Sequence, residues 1–304
     1  MEKKMRFGIG IAVVVSLIVA AWVVGSRPVE AQSSTSGEWK ASIQKDGAKI
    51  NLNFERRSER GGRHQHGQTY DFSELQGLSL EQAQGGGPVR FSLVREAGRI
   101  DCEGTFQNGR GSGTFQFTPN LNFVSAMKSR GFDFETNRRN EDGETDDQLF
   151  AATTLNVTTA LADDLTSAFG KLTVHDLFKA AIFKVDSQFA REMKASGFEN
   201  LGMEELVKAR IFKIDAAFVR QVSQMGFEKE PFESLVKMQI FKVTPEFIAE
   251  VRGEGLTNLQ VEELVKLRIF KIDGQFIREA KAEGVPLEVE RLVHRRIGVA
   301  RRNR

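Results

Sequence analysis

The sequence predicts an α+β chain of two domains: a small antiparallel β domain, then an α-solenoid of about six helix pairs, after an N-terminal hydrophobic helix. Three observations predict it. Apolar and polar residues alternate in short runs over residues 38–117. From residue 118 the apolar period becomes helical. The tripeptide Ile-Phe-Lys then recurs at 182–184, 211–213, 240–242 and 269–271, so successive phenylalanines lie 29 residues apart (212−183, 241−212, 270−241). A fixed period of this size marks a repeat array, in which each unit buries its apolar face only against its neighbours.

The elements follow in chain order. Lys3, Lys4 and Arg6 precede an uncharged apolar stretch over residues 7–24. At about 1.5 Å per residue its helix would be roughly 27 Å long, close to a bilayer core. Val29-Glu30-Ala31 offers small residues where a signal peptidase cuts. Residues 1–31 therefore read as a signal peptide or a membrane anchor, and both readings stay open. Either way the basic flank stays in the cytoplasm and the rest is exported. A polar linker is expected at 32–37.

About six strands are expected in the β domain, from alternation in Trp39/Ala41/Ile43, Ile50/Leu52/Phe54, Val89/Phe91/Leu93 and Ile100/Cys102/Phe106. Asn108-Gly109 is a hairpin turn signal. The basic, polar stretch 56–67 and the glycine-rich stretch 82–87 read as exposed loops. Cys102 is the single cysteine, so an intrachain disulfide is excluded; it reads as a small buried thiol.

Each repeat reads as two short helices, A and B. Asp186, Asp215, Thr244 and Asp273 are N-cap residues for the A helices, because their side-chain oxygens accept from free backbone N–H groups of the first turn. Gly197, Gly226, Gly255 and Gly284 suit a left-handed C-cap. The B helices carry Leu177, Leu206, Leu235 and Leu264 and end in Ile-Phe. Phe212 is expected in the core between units, where truncation to alanine costs about 3–5 kcal/mol. The array is expected to span 118–297, with a degenerate early unit at Leu149, Leu155 and Leu161, a charged insertion at 133–147 and a basic tail at 298–304.

Two lysine columns are the candidate partner-binding residues. Lys184, Lys213, Lys242 and Lys271 form one; Lys179, Lys208, Lys237 and Lys266 form the other, with Arg210 and Arg268 beside it. Stacking would align them as a docking surface for an acidic partner. The plainer reading is helix electrostatics: i,i+4 pairs such as Glu204/Lys208, Glu233/Lys237 and Glu262/Lys266, and cations at helix C-termini. His64 and His66 are too isolated for a metal site. Residues 140–147 do not complete an EF-hand, because Arg138 stands at the first ligand position. The tail arginines (Arg291, Arg295, Arg296, Arg301, Arg302, Arg304) suit a solvated cap. Residues 32–304 carry 39 basic and 39 acidic side chains, after removing four and two from the totals of 43 and 41, so no global charge attracts nucleic acid. No nucleophile elbow, phosphate loop or HExxH occurs. No catalytic residue, cofactor or metal is expected.

The stretches GEWKASI at 37–43, DFSELQGL at 71–78, 89–120 and the repeated TPEFIAEVRGEGL…VEELVKLRIFKI resemble a domain pair in exported bacterial proteins of unassigned function. The same pair is similar to the extracytoplasmic tail of some membrane metallopeptidases of the beta-lactam-sensor type. The resemblance covers nearly all of the chain after residue 36 and implies no catalytic residue; the zinc-binding HExxH of the peptidase part is absent. Such repeats often end helix B in Ile-His-Gly. This chain has Phe-Lys there, so helix B is expected to run on.

The function expected is a non-enzymatic, extracytoplasmic protein–protein interaction module, the sensing or scaffolding part of an envelope signalling system. It is expected to bind an envelope protein, and the membrane through residues 1–31 if these are retained. Two alternatives stand beside it: a ligand-binding or enzymatic β domain around His64, His66 and Asp71, and a structural envelope spacer.

Overall fold

The computed structural model describes residues 35–45, 47–57, 63–134 and 144–298, with backbone alone at 57, 63, 64 and 144–146. The expected N-terminal helix and its cleavage site, most of the charged insertion, and residues 299–304 of the tail lie outside the described residues. Among the described residues no helix is long and apolar enough to cross a membrane. The described residues form an α+β chain in two parts, a seven-stranded sheet followed by twelve helices.

The strands are β1 (Thr35–Ile43), β2 (Lys49–Arg57), β3 (Arg63–Asp71), β4 (Leu75–Gln76), β5 (Gly87–Arg95), β6 (Gly98–Gln107) and β7 (Arg110–Pro119). Their order is β3-β2-β1-β7-β6-β5-β4, antiparallel throughout. Cross-strand partners share a face, so the alternation in sequence sorts side chains into one apolar and one polar surface. One row on the apolar face reads Phe54, Trp39, Gly113, Gly104, Val89. The glycines leave room for the indole. A Cβ on Gly104 would lie 2.6 Å from the Trp39 ring and 2.2 Å from the Ser112 carbonyl oxygen. Trp39 lies against Phe91 of β5 and Phe106 of β6, with ring centroids 5.2 and 5.7 Å away. Its indole N–H donates to the Glu103 carbonyl at 3.2 Å. The sheet curls around this ring.

Four expectations change here. Residues 35–37 belong to β1, not to a linker. The polar stretch 56–67 is mostly strand, because β3 is an edge strand that pairs only with β2 and offers the core little beyond Tyr70 and the partly buried His66. The glycine-rich stretch forms α1 (Leu80–Gly85). Ser79 caps it: the Gln82 N–H donates to Ser79 Oγ at 3.3 Å, and the Ser79 N–H donates to Gln82 Oε1 at 2.9 Å. With the two-residue β4, the strand count rises from about six to seven.

The helices after the sheet are α2 (Leu121–Lys128), α3 (Glu144–Leu155), α4 (Thr159–Phe169), α5 (Val174–Phe183), α6 (Ser187–Ala195), α7 (Met203–Ile211), α8 (Ala216–Gln224), α9 (Phe232–Ile240), α10 (Pro245–Gly253), α11 (Val261–Ile269), α12 (Gly274–Ala282) and α13 (Val289–Arg296). They form six consecutive pairs. First helices touch first helices (α2–α4, α4–α6, α10–α12), and second helices touch second helices (α3–α5, α5–α7, α9–α11, α11–α13).

Helix α3 joins the two parts. Phe150 stands on the apolar face of the sheet, its ring centroid 5.6, 5.3 and 5.3 Å from those of Phe54, Phe115 and Phe117. The Tyr70 hydroxyl donates to the Thr154 carbonyl at 3.0 Å. Arg56, inward-facing on β2 and 8% exposed, pairs with Asp147 and lies 5.1 Å from the Phe150 ring. The C-terminal end of the charged insertion, residues 144–147, is thus the first turn of a packed helix.

The caps form as expected. The backbone N–H groups of Phe189, Phe218, Phe247 and Phe276 donate to Asp186, Asp215, Thr244 and Asp273 at 2.8, 2.8, 3.3 and 2.9 Å. Gly197, Gly226, Gly255 and Gly284 have φ of 99°, 94°, 103° and 74°. The following N–H groups, of Phe198, Phe227, Leu256 and Val285, reach back to carbonyls five residues earlier at 2.9–3.2 Å, closing Schellman motifs.

The B helices do not run on. Lys184, Lys213, Lys242 and Lys271 take the left-handed conformation themselves, with φ of 58°, 56°, 52° and 52°. The N–H groups of Val185, Ile214, Val243 and Ile272 close the same motif at 2.8–3.0 Å, and these apolar side chains are buried. Lysine fills the glycine role because burying the next residue and closing the motif outweigh the strain of the left-handed backbone, about 1–2 kcal/mol per residue. A second correction concerns the core between units. Leu206, Val207, Ala209 and Ile214 fill it, whereas Phe212 is only half-buried at its margin.

Three outcomes follow. Gly104→Ala is expected to cost about 1–3 kcal/mol through overpacking against Trp39, read by urea denaturation. Leu235→Ala should cost about 2–5 kcal/mol and exceed Phe212→Ala in the same assay; the reverse order would contradict the packing. Lys213→Gly should raise stability by roughly 0.5–1 kcal/mol, the relief of backbone strain less the added freedom of unfolded glycine, visible as a higher melting temperature.

Candidate functional site

The side chains at the ends of the B helices divide into those that bind the stack together and those that face solvent. Lys179, Lys208, Lys237 and Lys266 belong to the first group. Lys208 reaches Glu233 at 2.7 Å and Lys237 reaches Glu262 at 2.7 Å; Lys179 pairs with Glu204 and Lys266 with Glu290. Each bond runs from one B helix to the next, so the glutamates do not close the i,i+4 pairs expected within a helix. The hydrogen bond to Glu233 raises the pKa of Lys208, and the one from Lys266 lowers that of Glu290. These rungs are exposed and are screened by salt.

The arginine column is also engaged. The Arg210 guanidinium lies 3.7 Å from the Phe189 ring centroid, Arg268 4.8 Å from that of Phe247, and Arg296 4.1 Å from that of Phe276. The same column feeds the free carbonyls at the end of the preceding B helix. Gln239 Nε2 donates to the Lys213 carbonyl at 3.3 Å, Arg268 Nε to that of Phe241 at 2.9 Å, and Arg296 to that of Lys271. Arg295 binds Glu283 through two bonds, at 2.5 and 2.7 Å. Arg295 and Arg296 therefore tie down the last pair.

Lys184, Lys213, Lys242 and Lys271 are different. They are exposed, and their ammonium groups have no side-chain partner among the described residues. Two residues before each stands an isoleucine to which the sequence alone assigns no role. Ile182, Ile211, Ile240 and Ile269 are 50%, 51%, 47% and 51% exposed, and Ile297 at the end of α13 is 52% exposed. The contacts from Gln239, Arg268 and Arg296 to the preceding helix ends set successive helix ends side by side, so the isoleucines and lysines recur along one edge of the row. Scattered exposed apolar residues are ordinary, but a contiguous row marks an interaction surface. The signal is present in the 29-residue period. It is hidden because an apolar residue at helical spacing is read as core by default, while here the helix ends before a further turn can cover it.

Other candidates are filled or neutralised. The polar face of the sheet bears a groove of about 900 Å³ lined by Glu38, Gln76, Arg90, Arg99, Asp101 and Glu103, among others. Arg99 binds Asp101 at 2.7 and 2.9 Å, Ser92 donates to Asp101 at 2.6 Å, and Arg90 meets Glu103 at 2.8 Å, so both arginines of the groove are paired within it. His66 lies against Phe150 with centroids 5.5 Å apart, and Asp71 pairs with Lys49 at 3.3 Å. The His64 side chain lies outside the described residues. Among the described residues no group of three or more His, Cys, Asp or Glu could hold a metal ion. Cys102 is buried, and burial pushes its thiol pKa up.

The carboxylates predict an acid response. Asp164, hydrogen-bonded by the Ser187 hydroxyl and N–H, Glu283 beside Arg295, and Glu290 beside Lys266 all have lowered pKa values in the folded chain. A depressed carboxylate stabilises the fold above its unfolded value, about 4, and loses that contribution as pH falls through the folded value. The melting temperature should therefore drop below about pH 4, and Glu290→Gln should flatten part of that drop; a melt independent of pH from 7 to 3 would refute it.

No family model, no curated protein and no solved structure matches the chain.

Proposed function

We propose that the chain is a non-enzymatic protein-binding module, that its six helix pairs form an α-solenoid, and that its docking surface is the isoleucine–lysine edge. The observation that carries this is the row of half-exposed isoleucines repeated at the ends of successive B helices. Water is a poor neighbour for such a row, and a protein partner that covers it gains apolar burial. The rungs and arginine contacts beside it supply a rigid scaffold, which limits the ordering cost of binding.

The apolar stretch at 7–24 with its basic flank supports a working place outside the cytoplasm, tethered or released, where the module would sense or scaffold in the envelope. The resemblance to exported bacterial proteins points the same way. The lysines assigned to the partner are narrowed to Lys184, Lys213, Lys242 and Lys271, because the other cations serve the stack.

A photo-crosslinking amino acid at position 240, in intact cells, should yield one defined adduct. The same group at exposed Gln221, on the other row of helices, should not, and Ile211→Ser should weaken the adduct at 240. Equal background labelling at both positions would overturn the reading.

A further inference from the structure

We infer that the occupant of this edge is an extended, acidic polypeptide segment with an apolar residue at every third position. This rests on the proposed docking edge and adds the chemistry of the partner.

The spacing comes first. Neighbouring packed helices lie about 8–10 Å apart, so successive exposed isoleucines repeat at about that pitch. A polyproline-type chain has three residues per turn and rises about 3.1 Å per residue, which brings every third side chain to one face at about 9.3 Å. A helical partner would have to use every seventh residue, at about 10.5 Å. That overshoots by roughly 0.5–2.5 Å at each step, and the error accumulates along the five isoleucines. The polyproline-type repeat of about 9.3 Å falls inside the helix spacing of about 8–10 Å.

The charge comes second. Each isoleucine from 182 to 269 is followed two residues later by an exposed lysine without a side-chain partner among the described residues. The nearest carboxylates in sequence, Asp186, Asp215 and Asp273, already accept from helix N–H groups at 2.8, 2.8 and 2.9 Å. Glu204, Glu233, Glu262 and Glu290 are held by the other lysine column. The edge lysines are therefore left available for carboxylates of a partner.

The backbone adds a third observation. All four lysines occupy a left-handed position that glycine fills more easily. Strained positions persist where the side chain has a use. Here the use is an ammonium group held beside the apolar row. A second copy of this edge would set lysine against lysine, which disfavours self-pairing. A flat anionic membrane would also meet the exposed aspartates two residues beyond three of the lysines, so a narrow segment suits the edge better.

The test is fluorescence anisotropy with the purified chain and a fluorescein-labelled peptide of five Leu-Pro-Glu repeats. Saturable binding is expected. The double variant Ile211→Ser/Ile240→Ser should weaken it at least tenfold. Lys213→Gly/Lys242→Gly, which keeps the helix ends favourable, should weaken it at least threefold, with helix content checked by circular dichroism. Equal binding of a shuffled peptide of the same composition would overturn the inference. So would tighter binding of a helical peptide with leucine at every seventh position, or binding of phosphatidylglycerol vesicles with none of the peptide. A specific crosslink at position 240 together with a silent peptide would reject this occupant and leave the docking edge standing.

Discussion

The repeat depends on the left-handed residue that ends each helix. Eight such residues recur at the 29-residue period, Gly197, Gly226, Gly255 and Gly284 after first helices and Lys184, Lys213, Lys242 and Lys271 after second helices. Each reverses the chain within two residues and turns the next apolar side chain inward: Phe198 or Phe227 after glycine, Val185 or Ile214 after lysine. Without that reversal, neither row of helices could pack against its own kind. The inter-unit rungs and the arginine contacts to free carbonyls are consequences of this geometry, since they need successive helix ends side by side.

Much of this was legible in sequence because helix ends are local. An aspartate three residues before an inward phenylalanine and a glycine eleven residues after that aspartate need nothing beyond the chain itself, and both caps form. The lysine turns were not legible, because the left-handed preference of glycine is intrinsic whereas that of Lys213 is imposed by burying Ile214 and closing its hydrogen bond. Long-range partners were equally hidden. Glu233 lies four residues before Lys237 and invites pairing within the helix, yet it binds Lys208 of the preceding helix. In the sheet, the strong alternation around Trp39 and Phe91 was decisive, while β3 escaped notice because an edge strand carries few apolar residues.

The candidate site shows the same division. The lysines at 184, 213, 242 and 271 could be named from their period, but only packing separates them from the column at 179, 208, 237 and 266, which is consumed by glutamates. The isoleucines were visible but without a role, since hydropathy does not say which side of a terminating helix is covered.

The seating of Phe150 on the sheet makes the stack polar along its length. At its first helix pair the array is sealed by a curled sheet, through three aromatic contacts and the buried Arg56–Asp147 bridge. Among the described residues its other end is α13, packed on α11 and α12. In a quasi-one-dimensional array, opening begins where a unit has a single neighbour. Fraying therefore enters from the α13 end and loses probability toward the sheet, so the amides nearest α3 exchange slowest with solvent, and a partner that gripped the last rungs would quiet motion along the whole row.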